Sequence, residues 1–92
     1  MSEDKKITIE MFYTLTCPNC RIFQRMLEGV LTSYGDKFMF KKTLASGPAG
    51  YFKTLKLGIH TVPTILFDNT IVFRSVPTKD ELIKQLNQYL NN

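Results

Sequence analysis

The chain has 92 residues, 43% hydrophobic and 22% charged, with 12 Lys and Arg against 8 Asp and Glu for a net charge of +4. That composition describes one globular domain over residues 1–92 with a single modest core; it excludes collagen-like and disordered chains, a large multi-site enzyme and the basic stripe that nucleic-acid binding requires. No apolar run approaches the ~18–20 residues of a membrane span, and the polar opening Met1-Ser2-Glu3-Asp4-Lys5-Lys6 lacks the apolar stretch and cleavage site of a signal peptide, so the cytosol is the expected compartment.

Ile7 to Thr14 is rich in β-branched and aromatic residues with apolar character on both faces, which predicts an interior strand covered on both sides. A helix is predicted from Pro18, with Ile22, Phe23, Met26, Leu27, Val30 and Leu31 at i, i+3, i+4 spacing and Arg21, Gln24, Arg25 and Glu28 opposite. Gly35 and Asp36 are expected to end it. Lys37 to Ala45 reads as a second strand, and its Lys41-Lys42 pair marks an edge or a strand end. After the break Ser46-Gly47-Pro48, Ala49 to Leu57 predicts a short helix anchored by Phe52 and Leu55, with Gly58 as its C-cap residue.

Thr64 to Phe67 and Thr70 to Arg74 read as strands joined by Asp68-Asn69, residues that tolerate positive φ and suit a tight hairpin. Thr78-Lys79-Asp80-Glu81 is a capping box, and behind it Leu82, Ile83, Leu86, Tyr89 and Leu90 form one apolar stripe. The order is βαβαββα, an α/β chain whose first two strands flank a helical crossover and should be parallel, while the last two form a hairpin. The methionines and the Phe-rich strands read as core.

The only cysteines are Cys17 and Cys20, and the only histidine is His60. A structural zinc site takes four ligands, more than these residues supply, so no metal and no other cofactor is expected. Cys17 follows a strand and precedes a helix, which puts it at or beside the N-cap. Pro18 fits the first helical position, where its missing N–H is harmless. The unpaired N–H groups and the positive end of the helix dipole there favour an anion, and the available anion is the Cys17 thiolate. A thiol otherwise titrating near about 8.5 falls to about 3.5–7.5 in such settings. Cys17 is the expected nucleophile towards a disulfide. Cys20, one turn into the helix and more shielded, is the expected resolving thiol.

The stretch Phe12-Tyr13-Thr14-Leu15-Thr16-Cys17-Pro18-Asn19-Cys20 resembles the strand and active-site opening of a glutaredoxin, and Gly58-Ile59-His60-Thr61-Val62-Pro63-Thr64 resembles the loop before the third strand of thioredoxins and glutaredoxins. The resemblance is to the thioredoxin superfamily, among its small redoxins, and covers nearly the whole chain. It implies the glutaredoxin-type minimal fold, a four-stranded mixed sheet with helices on both faces. It also implies that Pro63 is a cis proline packed against the active-site disulfide and that the Val62 backbone pairs with an extended substrate segment. Pro18, Asn19, Thr61, Val62 and Pro63 are then the substrate-binding residues around Cys17 and Cys20.

The chain also departs from the family. It has no Trp, and Met11 stands where thioredoxins bury an Asp. Glu10, next to it, points to the other face by strand alternation and reads as a solvated or paired carboxylate rather than a proton relay. Thr14 and Leu15 replace the basic residue of glutaredoxins, and Phe73-Arg74-Ser75-Val76-Pro77 replaces their Gly-Gly turn. Both weigh against glutathione binding. Arg21 and Arg25 read mainly as a solvated helix face, His60 as loop surface, and Lys41, Lys42, Lys53 and Lys56 as solubilising charge.

The expected function is therefore a cytosolic, monomeric dithiol–disulfide oxidoreductase that reduces protein disulfides, drawing electrons from a flavin-dependent thioredoxin reductase rather than glutathione. Two alternatives stand beside it. One is an adaptor of the same fold with idle cysteines. The other is an iron–sulfur carrier in which Cys17 of two protomers and external thiols hold a cluster.

Overall fold

A computed structural model describes residues 6–91. The expectations placed on the polar run 1–5 and on Met1 as a core residue lie outside the described residues. The elements follow as β1 (Ile7–Tyr13), α1 (Pro18–Leu31), β2 (Phe38–Leu44), α2 (Pro48–Leu57), β3 (Thr64–Phe67), β4 (Thr70–Phe73) and α3 (Lys79–Leu90).

The strands build a four-stranded sheet in the order β2-β1-β3-β4. The crossover through α1 brings β2 back parallel to β1, and β3 runs antiparallel to both β1 and β4. The β3–β4 turn is made by Asp68 and Asn69 at φ 49° and 71°, the positive values a tight hairpin needs. β1 is central and buried on both faces. Its Ile9 and Met11 join Phe23, Leu27, Leu82 and Leu86 under α1 and α3, whereas Phe12 joins Ile59 and Leu66 on the face that α2 covers. β2 is an edge strand with Lys41 and Lys42 exposed, in keeping with the charge pair. This is the thioredoxin-type α/β arrangement, with helices on both faces of a mixed sheet.

Each helix shows its local causes. α3 carries the capping box: the Glu81 N–H donates to the Thr78 hydroxyl at 3.1 Å and the Thr78 N–H to the Glu81 carboxylate at 2.9 Å. α1 buries Cys20, Phe23, Leu27 and Val30. Ile22, expected on that stripe, is instead 53% exposed, because it lies about 100° round the helix from Phe23. α1 also stops at Leu31, short of Gly35 and Asp36. The Thr32 hydroxyl donates to the Gly29 carbonyl at 2.7 Å, and the backbone tightens into turns through Ser33 N–H to Val30 O and Tyr34 N–H to Leu31 O.

α2 departs furthest from expectation. Phe52 and Leu55, the predicted anchors, are 68% and 62% exposed, while Gly50 and Thr54 are the buried positions. The helix lies so near β2 that a Cβ built on Gly50 would stand 1.9 Å from the Leu44 carbonyl oxygen. Only small side chains fit that contact, so the large apolar ones are turned outward. Gly58 caps α2 at φ 71° as expected. Met39 on β2, read as core, is also exposed.

Candidate active site

β1 ends at Tyr13, and a short loop delivers Cys17 to the start of α1 as its N-cap residue, with Pro18 following as the first helical residue. Pro18 suits that position because its fixed φ starts the helix and no donor is lost. The Cys20 N–H, one of the donors with no intrahelical partner, donates to Cys17 Sγ at 3.1 Å. Cys17 and Cys20 form a disulfide across the first turn, Cα to Cα 5.3 Å. Cys17 is 7% exposed and Cys20 2%, so Cys20 is the more shielded residue. A depression of about 150 Å³ opens beside the pair, with Cys17 and Cys20 in its wall together with Tyr13, Arg21, Gln24 and Lys42. The sulfurs are thus held at a helix opening and reached by a groove, the two conditions that disulfide exchange requires.

Pro18 and Asn19 are exposed in the first turn of α1. The Val62–Pro63 peptide bond is cis, Pro63 is buried and Val62 half-buried. β3 begins at Thr64 opposite Phe12, so Val62 and Pro63 arrive beside the end of β1 that leads to Cys17. Val62 packs against both core clusters, and one of these contains Cys17 and Cys20. Thr61 is exposed; its hydroxyl donates to the Arg74 carbonyl at 3.2 Å, and its own carbonyl accepts from the Thr64 hydroxyl at 2.7 Å. The loop is tied down further by the Arg74 guanidinium on the Gly58 carbonyl at 3.1 Å. His60 and Arg25 are exposed and neither lines the depression.

Glu10 is 3% exposed and lies on the α2 face of the sheet, away from Met11 and the cysteines. Its carboxylate accepts from the Thr43 hydroxyl and from Lys53 Nζ at 3.0 Å. Burial by itself would raise its pKa, but the bonds from Thr43 and Lys53 and the charges of Lys53 and Lys41 outweigh it, so the carboxyl lies below its ordinary value. It is a paired carboxylate, bonded to Thr43 and Lys53.

Sequence reading missed that Lys42 lines the depression beside the cysteines. Lys42 pairs with Met11 in the parallel register, which turns its side chain to the α1 face, and its ammonium lies 5.2 Å from the centre of the Tyr13 ring. Only the strand register carries that signal, and a run of two lysines gives no hint of which one faces the groove.

No protein-family model matches the chain. It is 29% identical over 86 residues to the thioredoxin of Methanocaldococcus jannaschii, covering 92% of this chain and 98% of that one. It is 26% identical over 81 residues to a protein of Methanothermobacter thermautotrophicus named "Probable Thioredoxin", covering 88% and 93%. Among solved structures, a malarial protein superposes with a TM-score of 0.75 at 16% identity, covering 94% of this chain and 99% of its own. Thioredoxin-2, described as a component of malaria parasite protein secretion machinery, gives 0.70 at 14% identity over 90% and 82% of the two chains. The germline-specific thioredoxin Deadhead of Drosophila melanogaster gives 0.68 at 17% identity over 94% and 82%. The structural likenesses speak to the fold and the sequence likenesses to nearly the full length. With a Cys-Pro-Asn-Cys pair at the start of α1, the chain is similar over nearly its whole length to thioredoxins and shares their fold.

Proposed function

We propose that this protein is a thiol–disulfide oxidoreductase that reduces protein disulfides, with Cys17 as nucleophile and Cys20 as resolving thiol. The observation that carries the reading is the Cys20 N–H aimed at Cys17 Sγ at the opening of α1. In the reduced protein the same donor and the helix dipole stabilise a Cys17 thiolate. That thiolate attacks one sulfur of a substrate disulfide, forming a mixed disulfide and expelling a substrate thiolate, which takes a proton from water. Cys20, deprotonated in turn by water or by the departing thiolate, attacks Cys17 Sγ. The Cys17–Cys20 bond closes, the second substrate thiol leaves, and two electrons have passed to the substrate.

Pro18, Asn19, Thr61, Val62 and Pro63 receive the substrate, with the Val62 backbone pairing to an extended segment. The protein works as a cytosolic monomer and is recharged by a flavin-dependent thioredoxin reductase. Thr14 and the exposed Leu15 stand where the glutaredoxin pattern has its basic residue, and β4 runs into Arg74-Ser75 with no glycine pair; these two departures from the glutaredoxin pattern support that donor over glutathione.

The test supplies electrons from NADPH through thioredoxin reductase, or through glutathione and its reductase, and follows reduction of a protein disulfide. Cys17→Ser abolishes turnover; Cys20→Ser accumulates the mixed disulfide, visible by mass. Equal activity in the native chain and both variants would remove the assignment.

A further inference from the structure

The order β2-β1-β3-β4 gives the disulfide two flanks. On the β3 side stand Val62 and Pro63. On the β2 side lies the depression that contains both cysteines, and its lining includes two cationic side chains, Arg21 and Lys42, and no acidic one. Arg21 follows Cys20 directly on α1. Lys42 reaches the same depression from β2, steered by its register with Met11 and held against the Tyr13 ring. Among the described residues, no carboxylate lies within ion-pair distance of either cation. The cavity wall also holds Leu15, exposed, and the amide of Gln24. The arrangement is a small depression beside the reacting sulfurs with apolar side chains, the Gln24 amide, which donates to the Glu28 carboxylate at 3.1 Å, and two cations that have no carboxylate partner among the described residues.

We propose that this depression is a specificity pocket for a carboxylate that sits close to the reactive sulfur of the substrate, with Arg21 and Lys42 as its specificity-determining residues. The chemistry fits an Asp or Glu neighbouring the cysteine of a protein disulfide, and equally the carboxylate of a small disulfide. A substrate segment paired to Val62 on one flank passes over Cys17 and places its neighbouring side chain on the other. Charge-assisted contacts there favour acidic over isosteric neutral substrates, and with both cations exposed two such ion pairs amount to about fivefold in rate. The inference rests on the proposed disulfide-reductase function.

The experiment uses the reduced full chain and two peptide disulfides that differ only in Glu or Gln beside the reactive cysteine. A small-molecule arm compares glutathione disulfide with its glycine ethyl diester. Second-order rate constants are measured for the native chain, for Arg21→Gln combined with Lys42→Gln, and for Arg25→Gln. Arg25 shares the helix and the charge but not the depression, so its variant controls for general attraction.

The expected result is an acid-to-neutral ratio of about five in the native chain and in Arg25→Gln, falling to about one in the double variant. A preference confined to the peptides assigns the pocket to protein side chains, and one confined to glutathione disulfide assigns it to a small thiol. A native ratio of one, or a ratio equally lowered by Arg25→Gln, overturns the pocket while leaving the reductase function intact. Absence of reduction of either peptide overturns both.

Discussion

Glu10 shows how one carboxylate stays charged inside a sheet. Strand alternation in the sequence already set it on the face opposite Met11. Its partner Lys53, 43 residues on, was not legible, because nothing local fixes where α2 lands. The folded carboxyl titrates below its ordinary value of 4.5. The stability it contributes is therefore complete above that value and is lost as pH falls through the lower folded one. Glu10→Gln removes the negative charge facing Lys53 and leaves a single amide oxygen to accept from Thr43 and Lys53; since Lys53 keeps a side-chain exposure of 40%, the cost is at the low end for a charged hydrogen bond, about 1–2 kcal/mol. Thermal melts at neutral pH should show a midpoint lower by about 5–10 °C. The gap from the native chain should narrow as the pH is taken below 4.5. A gap that stays constant into acid would mean that ionisation does not hold this cluster.

At the scale of elements, legibility followed the reach of the signal. The capping box of α3, the Asp68-Asn69 hairpin and the start of α1 at Pro18 are written in three or four adjacent residues, and each formed where expected. α2 failed because its contact face is defined by missing atoms: Gly50 lets the helix approach Leu44, and Phe52 and Leu55 look like anchors only if a helix is assumed to bury its largest side chains. Gly50→Ala puts a methyl 1.9 Å from the Leu44 carbonyl oxygen and 2.9 Å from its carbon. Backbone must move, and the net loss should be about 1–3 kcal/mol despite the better helix propensity of Ala. Gly29→Ala in α1 meets nothing within 4 Å and should gain up to about 1 kcal/mol. Urea titrations of the two variants should move the midpoint in opposite directions; a shift in the same direction would show that Gly50 is not a spacing residue.

Over the whole molecule, the element order and the parallel crossover were readable because they follow from periodicity and handedness, and the placing of the Cys17–Cys20 pair at the start of α1 because it is a compact motif. The depression was not readable, since it is made by the register between β1 and β2. The two core clusters lie on opposite faces of one sheet, and Val62 packs against both. Loss of either face removes the support of the other, so unfolding should be a single cooperative transition, with far-UV and near-UV signals coinciding across a denaturant series. Separated transitions would divide the chain into independent units.

Among the described residues, the sheet ends at its two sides in β2 and β4. β4 has only four residues, and β2 presents Lys41 and Lys42 to solvent. Short or positively charged margins of this kind resist recruitment of a stranger's strand. For a molecule proposed to receive an extended segment of its substrate at Val62, such margins disfavour the knitting of that segment into the sheet, so that it can be gripped beside the sulfur and let go.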